Sequence, residues 1–174
     1  MLLALAGCHS PPKPKIALPN LPLPPPAAPA APPLPVPAPI PTVWSFAVGS
    51  AGCAALAAGE AGGFGITVQS DGAVDFSVSG AGGTSLPLAV GVPVAIRFGG
   101  PAGSWKLSGM VGKGVSIRAH VGAGNEALGM VLAVLGGGTA RAGDYALGLP
   151  ALEIPPAGAA GSAWFTCARN REHG

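Results

Sequence analysis

Two runs of alternating apolar residues, joined by a short turn, constrain this chain more than any other feature. Phe64, Ile66 and Val68 alternate with Gly65 and Thr67, and Val74, Phe76 and Val78 repeat the pattern after Ser70-Asp71-Gly72. A period of two marks strands with one buried face. Parity then decides the turn. A two-residue Asp71-Gly72 loop would pair Val68 with Asp75 and send the two apolar rows to opposite faces. A three-residue loop, Ser70-Asp71-Gly72, pairs Val68 with Val74, Ile66 with Phe76 and Phe64 with Val78. It also puts Gly72 at the left-handed position of a bulged hairpin. The sequence therefore predicts an antiparallel hairpin with a three-residue loop.

The same period recurs along the chain. Trp44, Phe46 and Val48 alternate with Ser45 and Ala47, and Gly49-Ser50 turns into a weakly patterned stretch around Cys53 and Leu56. After Gly80-Ala81-Gly82-Gly83, apolar residues occupy every even position from Leu86 to Phe98, with Pro87, Gly91 and Pro93 on the odd row. Proline cannot donate to a central ladder, so the first part reads as an edge strand or bend. Val94, Ile96 and Phe98 form a firmer strand with Arg97 outward. Trp105 and Leu107 flank Lys106 in the next, and Val115 and Ile117 flank Ser116 in the one after, with Arg118 outward. Short strands at such spacing with Gly-rich turns predict a mainly β chain, a single antiparallel β-sandwich or barrel-like domain with one or two short helices.

The helices are expected late. Asn125 is placed to cap a helix over residues 126–135, with Leu128, Val131, Leu132 and Leu135 on one face and Gly136-Gly137-Gly138 ending it. Gly129 and the β-branched residues leave a strand open there. Residues 145–154 read as extended chain stopped by Pro155-Pro156. Ser162 is placed to cap a last short helix carrying Trp164, Phe165 and Cys167, with Arg169 and Arg171 near its C-terminus, where cations are favourable.

Upstream of the domain, residues 11–41 hold fifteen of the 21 prolines. Such a tract lacks backbone donors and defaults to polyproline II. At ~3.1 Å per residue it reaches on the order of 90 Å, a semi-rigid spacer. It follows Leu5-Ala6-Gly7-Cys8, a small-residue triplet ending in cysteine after an apolar run from Met1, which resembles the lipobox of bacterial lipoproteins. The resemblance implies cleavage before Cys8, lipid on Cys8, and a diacyl-type anchor of the strength that stable attachment requires. It divides the chain into residues 1–7, a partial signal peptide; 8–42, a lipidated Pro-rich linker; and 43–174, a β-rich domain. Only seven uncharged residues precede Cys8, short of the basic and apolar regions of a signal peptide, which an initiator upstream of Met1 would supply. In lipoproteins Asp after the cysteine signals inner-membrane retention; His9 stands there, implying the outer membrane, with the domain in the periplasm or at the surface.

Charge is scarce. Asp, Glu, Lys and Arg make up 9% of the chain, against roughly 25% in typical globular chains. The net charge of +2 comes from Lys13 and Lys15. Beyond Thr42, Arg97, Lys106, Lys113, Arg118, Arg141, Arg169 and Arg171 are balanced by Glu60, Asp71, Asp75, Glu126, Asp144, Glu153 and Glu172. A neutral domain lacks the electrostatic footprint of a nucleic-acid binder. No segment past Cys8 is long and unbroken enough to be read as a membrane span.

Little in the domain suggests chemistry. With Cys8 assigned to lipid, Cys53 and Cys167 remain, and an even pair in an exported chain suggests a disulfide. The alternative is two separate buried thiols. His9, His120 and His173 are the only histidines, two of them in tether or tail, and His120 has no His or Cys at metal-ligand spacing nearby, so no metal or cofactor site is expected. A Ser/His/Asp set can be assembled from His120, Asp75 and a serine, but no G-x-S-x-G or other local motif supports it. Gly122-Ala123-Gly124 lacks the preceding βα unit and lysine of a phosphate loop. Trp44, Trp105 and Trp164 read as core anchors. The layout of early Trp strand, following Cys, alternating strands and closing helix over residues 43–167 resembles exported bacterial proteins of the invasion-associated locus B type. That family is periplasmic or surface-exposed and carries over no catalytic residues. The expectation is a non-enzymatic, lipid-anchored envelope protein that binds or stabilises another envelope component. A small-ligand or polysaccharide-binding module is the alternative, which exposed aromatics on one face would favour. An envelope hydrolase is the third, which a cleft gathering His120, a carboxylate and a serine would favour.

Overall fold

The computed structural model describes residues 40–81, 88–114, 116–143, 147 and 149–172. Within them the chain forms β1 (Ile40–Pro41), β2 (Val43–Gly49), β3 (Gly52–Gly59), β4 (Gly62–Gln69) and β5 (Val74–Gly80). These are followed by β6 (Pro93–Gly100), β7 (Gly103–Val111), β8 (Ser116–Val121) and helix α1 (Asn125–Leu135). Strands β9 (Gly138–Ala142) and β10 (Leu152–Ile154) and helix α2 (Gly158–Glu172) complete it.

The hairpin β4–β5 takes the register that parity dictates, with Phe64 opposite Val78, Ile66 opposite Phe76 and Val68 opposite Val74. Gln69 N–H donates to Ala73 O at 2.8 Å and Gly72 N–H to Gln69 O at 3.1 Å, leaving three residues in the loop. Gly72 has φ 83°, the left-handed conformation that glycine adopts without penalty. Asp71 Oδ1 accepts the Ala73 N–H at 3.0 Å and stiffens the turn.

The ten strands form one sheet in the order β1-β10-β9-β6-β7-β8-β5-β4-β3-β2. β1 and β2 stand at its two ends, yet they are one run of chain interrupted only at Thr42. The sheet therefore curls until its ends meet in a single segment, a nearly closed barrel. β1 pairs with β10 in parallel, Ile40 opposite Leu152. Thr42 is buried there, its N–H and its Oγ1 both donating to Glu153 O at 3.1 and 2.8 Å. Residues 40–42 thus take part in closing the sheet, which the proline at position 41 hides from a reading of the sequence. Past Thr42 the seam is bridged by side chains. Trp44 Nε1 donates to Pro155 O at 2.7 Å, Trp164 Nε1 to Ala47 O at 3.3 Å, and Arg171 Nη2 to Gly49 O at 2.8 Å.

The interior fills by alternating large and small residues across strands. Ala57 lies between Trp44 and Phe64 and Ala55 between Phe46 and Ile66, while Cys53 has buried Val68 on one side and Val48, 67% exposed, on the other. The stretch that reads as weakly patterned is therefore a full strand whose inward row is small because its neighbours' rows are large. Trp105 stacks on Phe98 with centroids 5.5 Å apart and meets Phe76 at 4.9 Å, an aromatic cluster extended by Phe64.

Both helices form, with their starts corrected. Gly124, at φ 145°, takes the N-cap position of α1; Asn125 is already helical and its side chain caps nothing. The buried residues of α1 are Ala127, Leu128, Val131, Ala133, Val134 and Leu135, and Leu132, expected among them, is 50% exposed. Ser162 is not a cap either: α2 begins at Gly158, and Ser162 Oγ donates back to Gly158 O at 3.2 Å. The Gly/Ala run 157–163 has no apolar periodicity from which to read that start. Residues 88–92 form a bend, where Gly91 N–H donates to Val111 O at 2.8 Å. Of the extended chain expected over 145–154, β10 is the strand described. Leu86, Pro87, Val115 and Tyr145 lie outside the described residues.

Candidate functional site

Polar side chains converge at one place on the outer wall. β5 places Asp75 opposite His120 of β8, and β4 places Gln69 diagonal to Asp75 across the hairpin. His120 Nδ1 and Asp75 Oδ1 are 2.9 Å apart, and Gln69 Nε2 donates to Asp75 Oδ2 at 2.7 Å. Both carboxylate oxygens are thus engaged, and the imidazole is held by one nitrogen with the other directed away from the pair. This is the orientation that a carboxylate gives a catalytic or metal-ligating histidine.

The surroundings do not extend it into a centre. His120 is 61% exposed and Asp75 35%, on a strand face rather than in a recess. Among the described residues no serine hydroxyl bonds His120: those of Ser45, Ser79, Ser116 and Ser162 donate to backbone carbonyls. No three His, Cys, Asp or Glu side chains gather to hold a metal among them. The larger clefts lie elsewhere. One of about 490 Å³ runs between α1 and α2, lined by Leu132, Ser162, Phe165 and Arg169. Another of about 530 Å³ lies by Gly137, Thr139, Glu153 and Pro155. Neither holds a paired acid and base. An exposed pair of this kind is worth at most about 1 kcal/mol.

The cysteines do come together. Cys53 of β3 and Cys167 of α2 form a disulfide with Cα atoms 6.2 Å apart and a sequence separation of 114. It fixes α2 across the seam. Cys53 is fully buried and Cys167 lines a cleft with Val48, Ser70, Asn170 and Arg171. The three tryptophans face the core: Trp164 is 3% exposed, and Trp44 and Trp105 pack against buried residues. Trp105 Nε1 is buried without a partner among the described residues. Cys8, His9 and His173 lie outside the described residues. No helix among those described is long and apolar enough to cross a membrane.

Gln69 carries no motif that marks it as the second partner of Asp75, although the hairpin register alone places the two diagonally on one face. The pairing of Asp75 with His120 is less accessible to sequence reasoning, because β5 reaches β8 past two intervening strands. No protein-family model matches the chain, and no curated protein or solved structure shows significant similarity to it.

Proposed function

We propose that this chain is a lipid-anchored cell-envelope protein whose non-catalytic barrel binds or stabilises another envelope component. The observation that carries the reading is Leu5-Ala6-Gly7-Cys8 followed by a proline tract of residues 11–41 and then a barrel. Lipid on Cys8 gives the barrel an address, and the tract gives it reach. The non-catalytic part is supported by the site geometry. Among the described residues, the Asp75–His120 pair stands on an open wall with no serine bonded to it. The binding part is supported by the outer face of β2–β4, where Val43, Leu56, Ala54 and Thr67 carry no charge and Val43 is 75% exposed. The tryptophans that a polysaccharide reader would present are turned inward.

Fractionation of cells producing the full chain tests the reading. Wild type is expected in the detergent-extracted membrane fraction, and Cys8→Ser in the soluble fraction, with envelope crosslinks formed by the former alone. A Cys8→Ser chain that stays with the membrane and keeps its crosslinks contradicts it.

A further inference from the structure

Arg97, Lys106 and Arg141 stand directly opposite one another across three strands. β6 places Arg97 opposite Lys106 of β7 on one side and Arg141 of β9 on the other. In each strand the flanking residues turn into the core: Ile96 and Phe98, Trp105 and Leu107, Ala140 and Ala142. All three cations therefore project from the outer wall. Like charges at facing positions repel, a pairing that sheets disfavour. Yet three of the seven basic residues beyond Thr42 are gathered here, in a chain with few charges of either sign. β6, β7 and β9 contain no Asp or Glu. On β10, Glu153 faces Thr139, so it is diagonal to Arg141 and a further strand away from Arg97.

Arg97 Nη1 donates to Gly143 O at 3.1 Å, leaving its other N–H groups along the wall. Arg141 is half-buried and already engaged, so Arg97 and Lys106 are the exposed pair. Around them the wall carries Ala95, Gly99, Ser104, Ser108 and Thr139, small or hydroxyl-bearing and without a ring. That surface is cationic and free of bulky side chains, with a shallow cleft beside Arg97 and another beside Lys106, and it suits an anionic partner surface.

We propose that this row docks the barrel on an anionic, phosphate-bearing membrane surface. The proposal rests on the anchored reading, which supplies the membrane. Each basic residue held near an anionic leaflet raises occupancy roughly fivefold, so the exposed pair gives roughly 25-fold. That is weak for a free protein, but a tether supplies a high effective concentration.

The test couples the full chain through the Cys8 thiol to vesicles carrying a maleimide lipid, with Cys53 and Cys167 protected in their disulfide. Energy transfer from the tryptophans to a dansyl lipid reports contact. Transfer is expected on phosphatidylcholine vesicles containing phosphatidylglycerol and not on phosphatidylcholine alone. Raising salt to ~1 M, where the Debye length is ~3 Å, abolishes it. Lys106→Gln lowers the docked-to-undocked ratio about fivefold and Arg97→Ala/Lys106→Ala about 25-fold, with unchanged melting temperature. Equal transfer on both vesicles, a double variant that retains it, or preferential binding of soluble alginate over phosphatidylglycerol vesicles overturns the proposal. Chemical coupling separates this outcome from whether cells acylate Cys8.

Discussion

Ala57 shows how little a single residue's hydrophobicity says about its place in this barrel. It is fully buried because Trp44 and Phe64 flank it in register and leave room for one methyl group. Ala57→Leu should therefore destabilise by about 1–3 kcal/mol through overpacking. Phe64→Ala, beside it, should cost about 3–5 kcal/mol through the cavity left behind. Urea unfolding of both variants checks the interlock; an Ala57→Leu chain as stable as wild type would mean that the row is loosely packed. Phe64, Ile66 and Phe76 are legible in the sequence because their own alternation is strong. Cys53, Ala55 and Ala57 are not, since only pairing across β2 and β4 explains their size.

Among the elements, the β4–β5 hairpin is legible to its register, because a turn with one glycine and two alternating rows admits a single consistent parity. The helices are legible in existence and not in their starts. A glycine N-cap before Asn125 and the Gly/Ala run before Trp164 give no side-chain signal. Gly129 lies exposed in the middle of α1, with open space where a methyl group would stand, and weakens the helix for no visible contact. Gly129→Ala should stabilise the chain by roughly 0.5–1 kcal/mol, read as a rise in melting temperature. A fall would mean that this face of α1 is covered. α2 depends on a different device. Its packing face is Gly161, Trp164 and Ala168, a narrow stripe across the barrel seam, and the Cys53–Cys167 bond holds it there. Cys167→Ser should cost up to about 4–5 kcal/mol, as expected for closing a loop of this length. Non-reducing peptide mapping of wild type should yield the linked pair, and two free thiols in exported protein would contradict it.

For the whole molecule, the wall is organised by charge as well as by fold. The β2–β4 quarter is neutral, the Gln69–Asp75–His120 cluster marks its border, and the cationic row runs across β7, β6 and β9. Sequence alternation says which residues face outward. It does not say that Arg97, Lys106 and Arg141 are neighbours, because β9 returns to β6 only after α1 has intervened. Barrel closure is hidden for a similar reason: Ile40 and Pro41 look like the end of the proline tract until β10 is available to pair with them. Closure also seats Ile40, the first described residue, at β1 beside β10. Cys8 lies upstream in the sequence, and the anchor proposed for it governs everything proposed for the barrel. Metabolic labelling with palmitate tests that anchor most directly. Label on the wild-type chain that is lost in Cys8→Ser is the expected result; label that persists in Cys8→Ser, or a wild-type chain that takes up none, contradicts the anchor.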